Sequence, residues 1–344
     1  MKVIVLGIDL AKQVFALHGV DEHGKAVLIQ PAVRRDKLLG VVAALPPCLI
    51  GMEACSGAHH WARQFVRFGH TVRLMAPKFV SPYRLSGRRG KNDAADAAAI
   101  CEAVQRPQMR FVPIKDEAQQ AHLTVHRVRE GFVAERTATI NRLRGLLSEF
   151  GVVLPLKASV VRRQARAAIE ALPVIAREVL ADLLEAIAAL DTRITAYDAK
   201  LRAFARQDGR ITRLMQLPGL GEITAGALVA SVGNGHDFRN GRQFAAWLGL
   251  TPGQYSSGGK PRLGRITKAG DRYLRSLLVM GARAVLALAA RRTDRVSRWA
   301  HALALRRGYW RAVVAIAAKN ARLAWACLAR GEAFVLSGFA DSPP

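Results

Sequence analysis

Residues 3 to 9, VIVLGID, form an apolar run rich in β-branched side chains that ends on one carboxylate, Asp9. A strand that is apolar on both faces must be covered on both faces, so it belongs inside a sheet with helices above and below. Residues 13 to 33 hold two further apolar segments, QVFALHGV and KAVLIQPAV, separated by the polar DEHG. They read as a hairpin or meander joined to the first strand. The pattern then alternates. RRDKLLGVVAAL reads as a helix, CLIGMEA as a short buried strand, GAHHWARQFVRFG as a helix stopped by Gly69, TVRLMAP as a strand and NDAADAAAICEAV as a helix. Three strands with hairpin links, then αβαβα, describe a mixed sheet flanked by helices.

That element order is the one used by ribonuclease-H-like domains, and residues 1 to 116 are expected to form an α/β domain of this kind. Strand patterns vanish over 117 to 206, which read as all-helical. In the second half of that stretch Leu180, Leu183, Ile187, Leu190, Ile194, Tyr197, Leu201 and Phe204 recur in steps of three and four. This is a heptad seam ~36 Å long. An antiparallel pair within one chain and a coiled coil between two chains both satisfy it. Residues 207 to 336 read as a mainly α-helical C-terminal domain, and 337 to 344 as a tail. Within that domain LMQLPGLGEITAGALVASVG resembles a helix-hairpin-helix, in which Gly219 and Gly221 would offer backbone N–H groups to a phosphate. The stretch from Phe238 to Leu286 reads as a helix, a Gly/Ser/Pro loop and another helix.

The 344 residues carry 52 Lys and Arg against 26 Asp and Glu, a formal net charge of +26. Such a balance speaks of a polyanionic partner, with nucleic acid foremost and a membrane surface second. No apolar run approaches the roughly 18 residues of a spanning helix, and the N-terminus lacks the pattern of a signal peptide, so a cytoplasmic protein is expected. Cys48, Cys55, Cys101 and Cys327 lack C-x-x-C spacing, which argues for buried reduced thiols rather than zinc or disulfides.

Against this basic background the acids stand out. Asp93 and Asp96, three apart at the start of a helix, project from one face and repel each other unless a cation lies between them. Asp9 ends the first buried strand and Glu53 the next parallel one, where an unpaired acid is costly. Neighbouring strands and a helix across their edge would gather all four. Four hard oxygen donors without thiolate or imidazole favour Mg²⁺ or Mn²⁺ over zinc. Two such ions form the clamp used for in-line phosphoryl displacement. Arg84, Arg88, Arg89 and Lys91 would neutralise a polyanion delivered to the site. His59 and His60, about a turn past Glu53, read as packing or surface residues, with proton transfer or phosphate contact the alternative.

These residues carry a resemblance. GIDLAK around Asp9, GMEACSGAHHWAR around Glu53 and KNDAADA around Asp93 and Asp96 resemble the Asp-Glu-Asp-Asp signature of insertion-sequence transposases with a RuvC-like N-terminal domain. LPGLGEITAGAL, FAAWLGLTPGQYSSGGK and GRITKAGDRYLR resemble the C-terminal transposase domain of the same family. The resemblance runs from about residue 3 to 335. It implies a DNA recombinase guided by a structured bridge RNA that pairs with target and donor DNA. It also implies that Asp9, Glu53, Asp93 and Asp96 act with a C-terminal serine that becomes joined to a DNA strand. The nucleophile falls in QYSSGG, at Ser256 with Ser257 as the fallback. Lys260, Arg262, Arg265, Lys268 and Arg275 around it would bind phosphate. A homo-oligomer is expected, with each site combining the acids of one chain and Ser256 of a partner. Two rival readings remain at this point: a metal-dependent, junction-resolving nuclease without serine chemistry, and a non-catalytic nucleic-acid-binding protein.

Overall fold

The computed structural model describes residues 2 to 84 and 93 to 334, so Arg88, Arg89 and Lys91 lie outside the described residues. Two compact units divide the chain, Met1–Glu117 and Ala118–Pro344. In the first, the elements in order are β1 (Val5–Asp9), β2 (Val14–Val20), β3 (Ala26–Arg34), α1 (Arg35–Ala43), β4 (Leu49–Glu53), α2 (Ala58–Arg67) and β5 (Thr71–Met75). They are followed by the short α3 (Pro77–Val80), a 3₁₀ turn at Ser81–Tyr83, α4 (Asp93–Val104) and β6 (Phe111–Val112). The sheet has the order β3-β2-β1-β4-β5-β6. β1 pairs antiparallel with β2 and parallel with β4, β4 is parallel to β5, and the two-residue β6 adds an antiparallel edge that no sequence pattern foretold. This is the mixed sheet of a ribonuclease-H-like fold.

Side chains alternate between faces along a strand, and the two faces have different covers. Leu6 and Ile8 of β1 join Ile50, Met52 and Leu74 in a core closed by Leu38, Val42, Trp61 and Phe65 of α1 and α2. On the opposite face Val5 and Met75 pack with Ile100, Cys101 and Val104 of α4. Gly7 faces α4 as well. A Cβ on Gly7 would stand 2.2 Å from the Ala97 carbonyl oxygen, and one on Gly51 would stand 2.8 Å from Val104 Cβ. Gly7 and Gly51 are register partners on neighbouring strands, so together they make a bare strip on which α4 lies.

The second unit holds α5 (Glu117–Glu149, its first residue at the boundary), α6 (Ala158–Glu170), α7 (Val174–Gln207), α8 (Gly209–Leu214) and α9 (Glu222–Val232). These lead to α10 (Gly241–Trp247), β7 (Pro252–Gln254), β8 (Leu263–Ile266), α11 (Arg272–Ala289), α12 (Arg295–Arg307) and α13 (Tyr309–Arg330). α5 and α7 run antiparallel. His122 meets Phe204 at 4.0 Å between ring centroids, Phe132 meets Tyr197 at 5.4 Å, and Arg136 pairs with Asp191 at 2.7 Å. Arg129 pairs with Asp198 between the first and the second of these contacts. Leu180, Ile187, Ile194 and Leu201, seven residues apart, are with Ala205 the buried positions of α7, so this part of the seam is covered from within the chain.

Several details differ from expectation. The Gly/Ser/Pro loop is a hairpin of β7 and β8. Its tip is Ser257 to Lys260, with Gly258 and Gly259 at φ of 55° and 74°, as a type I′ turn requires. Cys55 is exposed, whereas Cys48, Cys101 and Cys327 are buried. α13 is long and apolar enough by composition to cross a membrane. Its apolar side, through Val313, Ile316 and Ala317, lies in the C-terminal core, while Arg311 and Arg322 are exposed.

Two outcomes follow from the packing. Gly7→Ala forces α4 off the sheet and should lower unfolding free energy by about 2 kcal/mol or more, read as a reduced urea midpoint. The second concerns His126, buried with its Nδ1 3.1 Å from the Tyr273 hydroxyl. Burial, with Arg129 and His122 adding to it, lowers this imidazole from 6.5 to about 4. The stability of the neutral form is therefore complete above pH 6.5 and is lost as pH falls from there towards 4. His126→Asn should be less stable at neutral pH and should lose that acid slope, as measured by urea unfolding across the window.

Candidate active site

Asp9 is the last residue of β1 and Glu53 the last of β4, and the register that pairs Ile8 with Met52 makes them neighbours at one edge of the sheet. By alternation both lie on the face of Gly7 and Gly51, which is the face α4 covers. The first turn of α4 supplies Asp93, exposed, and Asp96, only 7% exposed. A helix N-terminus favours negative charge there. Glu53 is similarly enclosed, at 9% exposure.

The four acids form one electrostatic group. Asp9 is pushed up from 3.8 to about 6, first by burial and then by the charges of Asp96, Asp93 and Glu53, with Arg84 acting in the opposite direction. Arg84 follows the 3₁₀ turn and reaches into the group. Its Nη2 donates to Glu53 Oε1 at 3.0 Å, and its Nε lies 2.9 Å from Asp96 Oδ1. That Nε is buried without an aligned hydrogen bond, so charge rather than directional bonding holds it. Arg84 was expected to meet nucleic acid. Here it serves as the internal counter-charge, since without it the enclosed carboxylates would be left uncompensated.

Four carboxylates against one guanidinium leave an excess of negative charge, and hard oxygen donors of this kind suit a divalent cation. Among the described residues no three acidic, thiol or imidazole groups stand at metal-ligand spacing, with Arg84 occupying the gap between Glu53 and Asp96. His59 does not join the acids. Its ring nitrogens meet the backbone N–H and the Nζ of Lys115, each at 3.2 Å. His60 is exposed beside Trp61.

The second unit presents the serine. Ser256 is exposed on the β7–β8 hairpin, and its Oγ accepts from Gln254 Nε2 and from the Arg262 backbone N–H, both at 3.0 Å. Ser257 closes the turn through its carbonyl, which accepts from the Lys260 N–H at 3.1 Å. Tyr255 lies across Gly264, where a Cβ would come within 2.8 Å of its ring. Lys260, Arg262, Arg265 and Lys268 are exposed along the same hairpin and its exit.

Arg275 departs from the expected phosphate contact. Its Nη1 donates to the carbonyls of Leu248, Gly270 and Asp271 at 3.0, 3.2 and 3.4 Å, which fixes the end of α10 to the start of α11. Gly219 also has a structural task. It sits at φ 84°, and a Cβ there would lie 2.5 Å from the Gly281 carbonyl oxygen of α11. Gly221 is the N-cap of α9 and faces open space.

Sequence reading missed Gly7 and Gly51 as positioning residues. The signal was present, since GID and GME each place a glycine two residues before the acid on two strands expected to pair.

Comparison with known proteins finds transposases over nearly the whole chain. Residues 6–152 match a transposase family of the DEDD, IS110 type, and residues 211–297 match the family described as "Transposase IS116/IS110/IS902 family". A probable family 20 transposase of Pseudomonas aeruginosa is 47% identical, covering 94% of this chain and 96% of its own. The transposase for insertion sequence element IS1111A of Coxiella burnetii is 40% identical over 96% of this chain and 91% of its own. That for element IS1328 of Yersinia enterocolitica is 38% identical over 96% and 98%.

The charge coupling has a direct readout in carboxyl carbon NMR of the metal-free protein. Asp96→Asn removes a like charge and should bring Asp9 down from about 6, whereas Arg84→Ala removes the opposing charge and should raise it further. A carboxyl raised from 3.8 to about 6 favours the folded state when protonated. Its contribution is therefore present at low pH and lost as pH climbs through that window. Asp9→Asn should abolish this part of the slope in thermal unfolding.

Proposed function

The chain belongs to the IS110/IS116/IS902 family of transposases, and we propose that it cuts and rejoins DNA with the four-acid site and a serine nucleophile, guided by a structured RNA. The observation that carries the reading is the convergence of Asp9, Glu53, Asp93 and Asp96, from two strands and a helix, into one group that raises the pKa of Asp9. In this reading these residues hold Mg²⁺ or Mn²⁺ through their carboxylate oxygens. When bound, the ion stabilises negative charge on the oxygens of the phosphoryl group being transferred.

Ser256 Oγ attacks a backbone phosphorus, forming a serine phosphodiester and releasing a deoxyribose oxygen. The hydroxyl proton leaves the serine and the departing oxygen gains one, so the count of phosphodiester bonds is unchanged. Attack by another strand end on the serine ester rejoins DNA and restores the hydroxyl. The choice of Ser256 over Ser257 rests on its two donors, which orient Oγ and leave its own hydrogen free. Lys260, Arg262, Arg265 and Lys268 supply positive charge for the phosphates on either side. Gly221, at the N-terminus of α9, offers a further phosphate contact. Arg88, Arg89 and Lys91, next in sequence to the acidic helix, are assigned to the DNA backbone.

The RNA partner rests on the net charge of +26 and on the family resemblance. Its binding should weaken steeply with salt as condensed counterions are released. Recombination that proceeds equally well with RNA-free protein would remove the guide from the proposal.

Asp96→Asn should reduce strand cleavage by about 100-fold or more while leaving RNA binding largely intact. Ser256→Ala should abolish the covalent protein–DNA adduct. Normal DNA processing by Ser256→Ala would identify a metal-dependent nuclease without serine chemistry. Each active site is further proposed to join the acids of one chain with Ser256 of its partner. Mixed Asp96→Asn and Ser256→Ala subunits should then form the adduct on the Asp96→Asn chain. Verified subunit exchange without adduct would place both sets of groups in one chain.

A further inference from the structure

A groove of about 1130 Å³ opens beside the serine hairpin; it shares Arg265 and Lys268 with the site so far described and extends beyond it. One wall is the hairpin itself, through Leu263, Gly264, Arg265 and Ile266 of β8, and the other is α13. Ala315 and Ala318 of α13 are small, so the floor is flat and apolar. Cations surround it: Arg242 of α10, Arg265, Lys268, and Arg311 and Arg322 of α13. All five are exposed, no acidic residue lines the groove, and none of the five is in an ion pair with a carboxylate among the described residues.

Two tryptophans interrupt this basic lining. Trp310 is 63% exposed, with the Arg283 guanidinium 5.8 Å from its ring centroid. Trp299 is half-buried, with Lys319 Nζ at 4.3 Å from its ring. Burial lowers the Lys319 pKa, and the neighbouring charges of Arg295 and Arg322 lower it further. Lys268 adds a second kind of signal. It is the one non-glycine residue at positive φ among the described residues, at 53°. Its backbone N–H donates to the Gly249 carbonyl at 3.1 Å, and a Cβ on Gly249 would stand 2.9 Å from Lys268 Cα, so the two backbones are in close contact. Strained backbone of this kind persists where the surroundings impose it, and it concentrates at binding sites.

We propose that this groove binds single-stranded DNA, the strand flanking the phosphate attacked by Ser256, with an unpaired base stacked on Trp310 and phosphates held by the surrounding arginines and Lys268. Exposed indole faces between cations are the general recognition chemistry of unpaired nucleic acid, because every base offers a π-face and every linkage a charge. Paired bases in a duplex present only their edges. A second copy of the chain is disfavoured as occupant, since self-docking would bring like charges together. DNA rather than RNA is chosen because β8 is shared between the groove wall and the hairpin that carries the nucleophile. In this respect the inference rests on the proposed serine chemistry.

The test uses the full-length chain and fluorescence anisotropy with labelled oligothymidylate. Trp310→Ala should weaken binding roughly 5- to 100-fold, while Trp310→Phe, which keeps an aromatic face, should retain most of it. Affinity for a blunt duplex should change less than about two-fold in either variant. An oligonucleotide bearing 5-iododeoxyuridine should photocrosslink to Trp310. Unchanged oligothymidylate binding by Trp310→Ala overturns the groove, and a change in oligomer mass in the same variant would then identify a second copy as the occupant. Tighter binding of oligouridylate with the same dependence on Trp310 overturns the choice of DNA. The Ser256 adduct is assayed in parallel on wild-type protein. Its absence together with Trp310-dependent binding defeats the serine reading alone, whereas its presence with Trp310-independent binding defeats the groove alone.

Discussion

The contact on which the first unit depends is the approach of α4 to β1 and β4 over Gly7 and Gly51. Any side chain at Gly7 would occupy the volume of the α4 backbone. The two glycines are paired in register, so the strip runs across the strands rather than along one of them. With the helix seated there, Ile100, Cys101 and Val104 fill the apolar layer. The first turn of α4 then lies at the edge where β1 and β4 end. The acids are brought together by the packing of the helix and not by any attraction among themselves.

Convergence of that kind is electrostatically unfavourable, and the remainder of the site can be understood as a response to it. The helix N-terminus offers a partial positive charge to Asp93 and Asp96, but this does not reach the full charge of four carboxylates. Arg84 supplies part of the deficit by bridging Glu53 and Asp96. Asp9, whose carboxylate is in no ion pair among the described residues, absorbs the remaining repulsion as a raised pKa. Arg84 therefore occupies the position that charge alone would assign to a cation. In the proposed function a divalent ion would compete there with a guanidinium already in place.

Much of this was legible in the amino-acid order, and the exceptions have physical reasons. The run at 3 to 9 and the alternation after it led to the mixed sheet because strands buried on both faces leave a simple signature. Asp9 and Glu53 were legible as acids ending such strands, and Asp93 with Asp96 by helical spacing. β7 and β8 were not legible, since strands of three and four residues containing Pro and Gly show no periodicity. The intramolecular partners of Arg84 and Arg275 were not legible because an arginine's partner is set by tertiary neighbours, here enclosed carboxylates and loop carbonyls. The same holds for Gly219, whose counterpart Gly281 lies on another helix, and for His126, which meets Tyr273 across 147 positions of sequence.

The fate of Arg84 also bears on how a protein this basic can maintain an acidic site at all. A cation that reaches the carboxylates is captured by them, and a captured cation is lost to phosphate. Lys260, Arg262, Arg265 and Lys268 escape that outcome within their own unit, where the hairpin offers them no carboxylate and where Asp271, the nearest acid in sequence, caps α11 through the Leu274 N–H. The acids occupy one compact unit, and the serine with its cations occupies the other. Two charge systems that would neutralise each other inside a single core are thus built separately, each on its own scaffold. In the proposed function DNA is their common partner, offering phosphates to the hairpin and a scissile linkage to the acids.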